Sequence, residues 1–311
     1  MIKKRSKILF EIKNRTIFKR LFLHLNKKQI GRLSEGEDKT NLLAKYYFNY
    51  KFDCKNPRTF NECLCWLKHN YRNPLWSICA DKIQAKEYLC SLGLGKYIPK
   101  TLCVYKNVND IDLSKLPNEF VLKTNHDCGS VFICKKGITN FEQVLKQINA
   151  SLTKRYNVNN SEWVYENIKP LIFAEELLKS PNGELKDYKI QTIGGKYIFG
   201  YVLSNKSIDE MHELFESDFE FVDCLYQSLP TPKKKRSLKP NQFDEMIQVA
   251  ETIGKHFLEV RVDFYITTHG IKIGELTFFT QSGFGRFTKK EFDFKYGGYL
   301  INAITKETSN K

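Results

Sequence analysis

The chain has 311 residues, of which 41% are hydrophobic and 14% aromatic. This is enough apolar material for a large core, which we expect to be divided between two lobes. Nine cysteines are scattered without CxxC pairs, which excludes a disulfide scaffold and favours thiols in a reducing cytoplasm. No stretch approaches the ~18 consecutive apolar residues that indicate a transmembrane helix. The net charge of +15 is the strongest compositional feature.

The excess charge is concentrated in a basic N-terminal extension, residues 1–35. Residues 1–32 contain eleven Lys or Arg against Glu11 alone, interleaved with apolar side chains. This pattern is typical of an amphipathic helix on an anionic membrane surface, although a surface helix packed on its own domain shows the same pattern. The positive charge alone also permits nucleic-acid binding, but no known nucleic-acid-binding motif accompanies it. We therefore expect a cytoplasmic protein, held peripherally at the inner membrane face by this extension.

Helices are predicted for the next segment, residues 36–98. A helical stretch near residues 42–50 leads to NPRTFNECLCWLKHNYRNP, where Thr59 can cap a helix and Pro74 closes the segment. A second helix, CADKIQAKEYLCSLG, carries Lys82 and runs to Gly93. Both helices contain enough apolar residues to pack on a core.

Short strands and one helix are predicted for residues 99–178. The stretches IPKTLCVY, EFVLKT and VFICKK are typical of strands, and the loop NHDCGS joins the last two. FEQVLKQINASLTKRYN predicts an amphipathic helix. LIFAEELL predicts a strand between Pro170 and the turn SPNG. Because strand side chains alternate, Glu175 and Glu176 should point to opposite faces.

Hairpins dominate the pattern of residues 179–311. DYKIQTIGGKYIFGYV predicts a hairpin that turns at Gly194-Gly195. NQFDEMIQVAETIGKHF predicts a helix after Pro240, and a short helix is expected near Tyr299. Residues 204–240 are polar and irregular and predict no regular element. Mixed helices and strands with frequent hairpins predict an α+β fold of two lobes with antiparallel sheets.

A second hairpin, RVDFYITTHGIKIGELTFF, places acidic residues on neighbouring strands. A three-residue loop at 268–270 would pair Thr267 with Ile271, and counting outward sets Asp263 opposite Glu275. Two opposed carboxylates repel each other, whereas a divalent cation between them attracts both and makes the arrangement favourable. The alternatives are a solvated face whose charges drift apart, or a loop one residue longer than assumed.

The order of these motifs resembles the ATP-grasp superfamily, in which two α+β lobes hold a nucleotide between them. From about residue 56 to 300 the chain is similar to the teichuronopeptide-biosynthesis-like amidoligases of bacterial surface-polysaccharide loci. The similarity lies in an ordered series of stretches: NPRTFNE, ADK, LPNEFVLKTNH, WVYENIKP, AEE, DYK, VRVDFY and GELTFF followed by SGFG. It implies a lid lobe at residues 99–178 and a metal- and substrate-binding lobe at residues 179–311.

The resemblance also implies ATP and Mg²⁺, with two ions expected, as cofactors. Nucleotide contacts are implied for Lys82, Lys123, His126, Gly129, Glu175, Glu176, Leu178 and Asp187. Metal ligands are implied at Asp263, Glu275 and Thr277. Catalytic contacts are implied for Arg261 and Lys189 and for the backbone of Gly283. Two positions depart from the family pattern: Thr277 stands where an Asn is usual, and the lid loop has Gly129 as its single glycine.

The activity implied by the resemblance is that of an ATP-dependent carboxylate–amine ligase with an acyl-phosphate intermediate. Its partners would be a uronic acid of a surface glycan or its lipid-linked precursor, and an amino acid or another amine. A glycosyltransferase of capsule or O-antigen synthesis is an alternative, but no DxD-type motif stands at a strand end. A sugar kinase could use the same ATP lobes, and a non-catalytic adaptor would bind no nucleotide. The acceptor, the amine donor and the oligomeric state are not specified by the sequence.

Overall fold

The structure is a computed structural model, and it describes residues 36–127, 129–154, 161–204, 211–226 and 237–309. The membrane-binding extension expected at residues 1–35 lies outside the described residues. The chain divides into two compact units, one ending at Lys51 and the other beginning at Phe52. In the first unit the described element is helix α1, Glu37–Phe48. Every element named below belongs to the second unit.

Three consecutive helices open the second unit: α2, Phe60–Asn70; α3, Pro74–Ala80; and α4, Lys82–Ser91. The side chain of Thr59 accepts the Glu62 backbone N–H in a capping box, so the predicted cap is confirmed. Pro74 begins α3 at a position where its missing N–H is not needed, so the prediction that it closes the segment was incomplete. The single helix predicted next is broken at Asp81, whose carboxylate accepts two backbone N–H groups and caps α4.

A four-stranded antiparallel sheet and one helix form the small lobe. The strands are β1, Thr101–Tyr105; β2, Glu119–Thr124; β3, Val131–Lys135; and β4, Ile172–Glu176. Their spatial order is β1-β4-β2-β3. Helix α5, Phe141–Leu152, contributes Ile148 to a small core with Phe120 and Leu122 of β2. The opposite face of the sheet, which carries Lys123 and Glu175, is thereby left for the site.

A six-stranded antiparallel sheet forms the large lobe, in the order β10-β9-β5-β6-β7-β8. The strands are β5, Asp187–Ile193; β6, Lys196–Ser204; β7, Met211–Glu216; β8, Glu220–Phe221; β9, Glu259–Thr267; and β10, Gly270–Thr277. Helices α6, Phe243–Gly254, and α7, Lys290–Ser309, contribute to the same large core. The short helix expected near Tyr299 is thus part of a 20-residue helix. Strands β7 and β8 lie in the region whose sequence predicted no element.

The β9–β10 hairpin brings the predicted side chains together by a different route from the one expected. Thr267 pairs with Gly270 rather than with Ile271, so the loop is one residue shorter than predicted. A bulge at Gly274 adds the missing residue, and Asp263 still lies opposite Glu275. A Cβ at position 274 would lie 2.5 Å from the ring of Tyr265. This close approach requires the glycine at the bulge.

The described elements confirm the predicted α+β architecture with two antiparallel sheets. The alternate residues Val262 and Phe264 on β9, and Leu276 on β10 with Phe278 just after it, are buried in the large core. Their neighbours in sequence therefore point to the opposite face, where the charged residues of the hairpin lie. Among the helices within the described ranges, none combines the length and the apolar content needed to cross a bilayer.

Candidate active site

A pocket lies between the two sheets, against helices α3 and α4. Its apolar lining includes Ala80, Ala85, Leu89, Ile98, Tyr165, Phe173, Ile273 and Leu276. Its charged lining consists of Lys82, Lys86, Lys123, Glu175 and Glu275. A mostly apolar concavity with a few converging charged groups is the usual form of a small-molecule site. Four of these five charged residues were predicted from the sequence, and Lys86 was not.

Glu175 is a buried carboxylate held between two lysines. Its Oε1 lies 2.5 Å from Lys123 Nζ and its Oε2 lies 2.5 Å from Lys86 Nζ. Burial would raise the pKa of Glu175, but the two ammonium groups outweigh burial and lower it. Lys86 also donates to Thr101 Oγ1 and to the Pro99 carbonyl, each at 2.9 Å. Lys86 is four residues after Lys82 on one helix face, a spacing that could have indicated it.

The loop after β2 is held by its own polar side chains and by Lys82 of α4. Lys82 Nζ donates to the Asp127 carbonyl, and the Asp127 carboxylate accepts from Thr124 and Ser130. His126 is buried, and its Nε2 lies 3.2 Å from the Ser151 carbonyl of α5. Burial lowers the pKa of His126. The structure therefore brings Lys82 to the pocket and places His126 against the small lobe instead.

Three further predicted nucleotide contacts lie on β4, just beyond its end, and in the loop after β2. Glu176 Oε1 accepts the Lys100 backbone N–H at 2.8 Å, on the face opposite Glu175, as the alternation of β4 predicted. Leu178 is half-buried just beyond the end of β4. Gly129 lies in the loop after β2, where a Cβ would meet no atom within 4 Å. None of Glu176, Leu178 and Gly129 lines the pocket.

Two rungs of charged and polar residues cross three adjacent strands of the large sheet. One rung is Lys189 on β5, Asp263 on β9 and Glu275 on β10, and the next is Gln191, Arg261 and Thr277. Paired residues of neighbouring strands share a face, so these six side chains lie together. The predicted opposition of Asp263 and Glu275 is confirmed, and Arg261 lies opposite Thr277 on the same face. The sequence did not predict that Lys189 completes the first rung.

Asp263 is the centre of a buried ion network. Its Oδ1 lies 2.7 Å from Arg261 Nε, its Oδ2 lies 2.9 Å from Arg261 Nη2, and Lys189 Nζ also donates to Oδ2. Lys189 Nζ lies 2.9 Å from Asp187 as well. Burial would raise the pKa of Asp263, but Arg261 and Lys189 outweigh it and lower that pKa to about 2. Burial alone would lower the pKa of Lys189, but Asp263 and Asp187 outweigh burial and raise that pKa.

Glu275 and Thr277 complete the network on the side of the pocket. Glu275 Oε1 lies 3.5 Å from Arg261 Nη2, and the Glu275 side chain keeps 33% of its surface exposed. Thr277 Oγ1 accepts from Arg261 at 2.9 Å. Within the described residues no group of three or more His, Cys, Asp or Glu is arranged to hold a metal ion. Two carboxylates fit Mg²⁺, which usually takes one or two carboxylates and completes its shell with phosphates and waters.

The segment after β10 has an unusual backbone. Phe279, Gln281 and Ser282 have φ values of 52°, 51° and 56°, and Gly283 follows at 73°. A non-glycine residue in this left-handed region costs about 1–3 kcal/mol, and such residues concentrate at functional sites. Thr280, inside the segment, accepts a 2.7 Å hydrogen bond from Arg261 Nη1. The segment that contains Gly283 is thus joined to the ion network, a link that the sequence did not reveal.

A family model for TupA-like ATP-grasp proteins matches residues 62–301, which contain both sheets and every site residue named above. The chain belongs to the TupA-like ATP-grasp family. This membership confirms the ATP-grasp resemblance and, with the two antiparallel sheets, the predicted fold class. No curated protein matches the sequence of this TupA-like chain.

Solved structures similar to this TupA-like ATP-grasp protein include three ligases or synthetases. A D-alanine–D-alanine ligase from Bacillus anthracis complexed with ATP is 16% identical, with 74% of this chain and 64% of that chain covered, at a TM-score of 0.41. The D-alanine–D-alanine ligase from Helicobacter pylori is 18% identical, with 73% and 60% covered, at 0.43. A D-cycloserine synthetase is 14% identical, with 75% and 72% covered, at 0.44. The chain spans less than two thirds of the length of the two D-alanine ligases.

Proposed function

We propose that the chain is an ATP-dependent carboxylate–amine ligase, which joins an acid to an amine and releases ADP and phosphate. The observation that supports this most directly is the rung Lys189–Asp263–Glu275 beside a pocket lined by Lys82 and Lys123. Lysines on one side and paired carboxylates on the other suit a triphosphate with its cation. Family membership gives the same enzyme class.

The nucleotide occupies the pocket between the sheets. Its base packs on the apolar lining near β4, where the backbone around Glu176 and Leu178 reads its edge, with Glu175 on the neighbouring face. Its phosphates meet Lys82 from α4 and Lys123 from β2. A triphosphate competes with carboxylates for ammonium groups, so Lys123 exchanges Glu175 for phosphate when the nucleotide binds. Gly129 lies in the loop that covers the phosphates.

The metal-binding residues are Asp263 and Glu275, with Thr277 as a weaker ligand, and we expect two ions. Mg²⁺, when bound, neutralises phosphate charge and aligns the phosphates for attack. Lys189 supports this by moving from Asp263 to the phosphates, which leaves a carboxylate oxygen of Asp263 for the cation. Asp187, which also contacts Lys189, faces the ribose or a metal-bound water.

The chemistry follows in two steps. A carboxylate oxygen of the acceptor attacks the γ-phosphorus, the bond to the bridging oxygen of ADP breaks, and an acyl phosphate forms. Arg261 pairs with the new phosphoryl group. An amine then attacks the acyl carbon, phosphate leaves, the amine loses its proton, and an amide remains. The backbone N–H of Gly283 approaches the oxyanion of this second step, where a fixed donor is most effective.

The acceptor in this proposal is a uronic acid of a surface polysaccharide or its lipid-linked precursor, and the donor is an amino acid or another amine. The support is the resemblance to amidoligases of surface-polysaccharide loci. The basic extension at residues 1–35 would hold the enzyme at the inner leaflet, where lipid-linked precursors lie.

Phosphate release from ATP tests this function. The purified full-length chain is incubated with Mg-ATP, a panel of uronic acids and a panel of amino acids, and free phosphate and ADP are measured together. A ligase gives both products only when an acid and an amine are present, a sugar kinase gives ADP without phosphate, and a glycosyltransferase gives neither. Glu275→Gln should abolish turnover, and Glu291→Gln, an exposed site at the start of α7, should not. A wild-type protein that released neither ADP nor phosphate from ATP with any pair of acid and amine would refute the proposal.

A further inference from the structure

Three ionisable side chains that the chemistry above does not use are buried around the segment Phe279–Gly283. They are Glu259 at the start of β9, Lys68 near the end of α2, and Glu162 just before the turn Trp163–Tyr165. Their exposed fractions are 0%, 1% and 8%. Buried charges of this kind stabilise a fold less well than apolar side chains of the same volume. Their common feature is that each one bonds the same short segment.

Each side chain fixes a different atom of that segment. Glu259 Oε1 accepts the Phe279 backbone N–H at 2.9 Å, and Gln191 Nε2 supports its other oxygen at 2.9 Å. Lys68 Nζ donates to the Ser282 carbonyl at 2.8 Å. Ser282 Oγ donates to Glu162 Oε2 at 3.0 Å. The left-handed backbone is therefore held at both ends by groups from three separate elements.

The segment is close-packed and cannot move without disturbing its neighbours. A Cβ on Gly283 would lie 3.0 Å from Cys65 Sγ and 3.2 Å from Leu64 Cβ of α2. Arg261 donates to Thr280 in the middle of the segment. A shift of the segment would thus move Arg261, the residue assigned above to the acyl phosphate.

We propose that Glu259, Lys68 and Glu162 are positioning residues that hold Phe279–Gly283 as a preformed wall of the acceptor subsite, where the acid and its acyl phosphate react. This proposal rests on the proposed ligase function and adds to it residues that touch neither nucleotide nor metal. The segment Phe279–Gly283 does not line the nucleotide pocket, so loss of a residue that positions it impairs turnover and leaves nucleotide binding intact.

A matched pair of substitutions isolates the hydrogen bond from the charge. Glu259→Gln keeps an oxygen that can accept the Phe279 N–H, whereas Glu259→Met has a similar volume and no acceptor. Two measurements need no acceptor: the affinity for Mg-AMPPNP by calorimetry, and amide hydrogen exchange of the peptide that covers residues 277–286. A third is turnover with the uronic acid and amine that give the fastest phosphate release in the wild type. Ser282→Ala, which removes one donor, is the milder variant if Glu259→Met fails to fold, and the exposed Lys295→Met is the surface control.

We expect Glu259→Met to raise exchange in this peptide by about tenfold or more, and to lower kcat by about 10–100-fold with nucleotide affinity within about threefold. Glu259→Gln should stay within about threefold of the wild type in all three measurements. Ser282→Ala should show the same changes as Glu259→Met in smaller measure. Equal behaviour of the Met and Gln variants, or equal loss of nucleotide affinity and turnover, would overturn the proposal. If the wild type binds nucleotide but no uronic acid supports turnover, the acceptor is wrong, and the exchange comparison still decides the positioning role.

Discussion

The two carboxylates proposed to bind Mg²⁺ should respond very differently to neutralisation. Asp263 is 1% exposed and contacts both Arg261 and Lys189, which are themselves buried. Glu275 keeps a third of its side-chain surface exposed, and its nearest cationic atom lies 3.5 Å away. Asp263→Asn therefore leaves two buried cations without their shared anion, whereas Glu275→Gln removes one weak contact.

The size of the difference follows from these surroundings. Breaking a buried ion pair by removing one partner costs about 3–5 kcal/mol, and we expect Asp263→Asn near the upper end because two cations lose their partner. At about 2–4 °C per kcal/mol for a domain of this size, the melting temperature should fall by roughly 10–20 °C. An exposed ion pair is worth about 0–1 kcal/mol. Glu275→Gln should accordingly lower the melting temperature by less than about 4 °C.

The assay is thermal unfolding by calorimetry at pH 7 without nucleotide, followed by phosphate release. Both variants should lose at least ~100-fold in turnover, because metal stabilisation of developing charge is worth several kcal/mol. The dependence of stability on pH provides a second test. The pKa of Asp263 is lowered to about 2, so its contribution is complete above pH ~4 and is lost as the pH falls towards 2. Asp263→Asn should flatten the wild-type curve in that window.

Two results would refute this reasoning. If both variants lost the same stability, Asp263 would not be the centre of a buried ion network. If Glu275→Gln kept wild-type turnover, the carboxylate facing the pocket would not be a metal ligand.

Three further perturbations test the fold. Gly274→Ala places a Cβ 2.5 Å from the ring of Tyr265 and should destabilise by about 1–3 kcal/mol; an unchanged melting temperature would contradict the bulge. Thr59→Ala removes a helix cap and should cost about 1 kcal/mol in denaturant unfolding, with turnover unchanged. Burial raises the pKa of Asp293, which accepts two hydrogen bonds from Asn61, to about 6. The stabilising contribution of Asp293 is thus complete below pH ~4 and is lost as the pH rises towards 6. Asp293→Asn should therefore reduce the fall of the melting temperature between pH ~4 and ~6. If the variant showed the same fall as the wild type, the pKa assignment would be excluded.

The sequence specified most local structure because local signals carry it. Alternation on β9 and β10 separated the charged face from the core face, and the cap at Thr59 and the turn at Gly194-Gly195 were identified directly. The opposition of Asp263 and Glu275 was predicted for a partly wrong reason. The turn is one residue shorter than expected, and the bulge at Gly274 restores the register. Two errors of one residue cancelled because the core face of each strand fixes the pairing.

Features that depend on distant parts of the chain could not be predicted in the same way. Lys86 meets Glu175 across 89 positions, and Lys68 meets Ser282 across 214. No local pattern in α2 indicates that Lys68 is buried, since a lysine in the last turn of a helix is usually exposed. The left-handed backbone after β10 is likewise imposed by tertiary bonds at Phe279 and Ser282. Tertiary contacts at the site thus override what local sequence favours.

The ion pairs of the site are better explained by function than by stability. Lys189 with Asp263 is a buried pair of lysine and carboxylate in the large lobe, and Lys123 with Glu175 is a pair in the small lobe whose carboxylate is buried and whose lysine is half-buried. Such pairs stabilise a fold little, because desolvation offsets their attraction. A phosphate group, which is also an anion, can replace the carboxylate partner of each lysine. Each displaced carboxylate then keeps a second cation, which is Lys86 for Glu175 and Arg261 for Asp263. In the proposed function, nucleotide binding would therefore recruit both lysines without leaving either acid uncompensated.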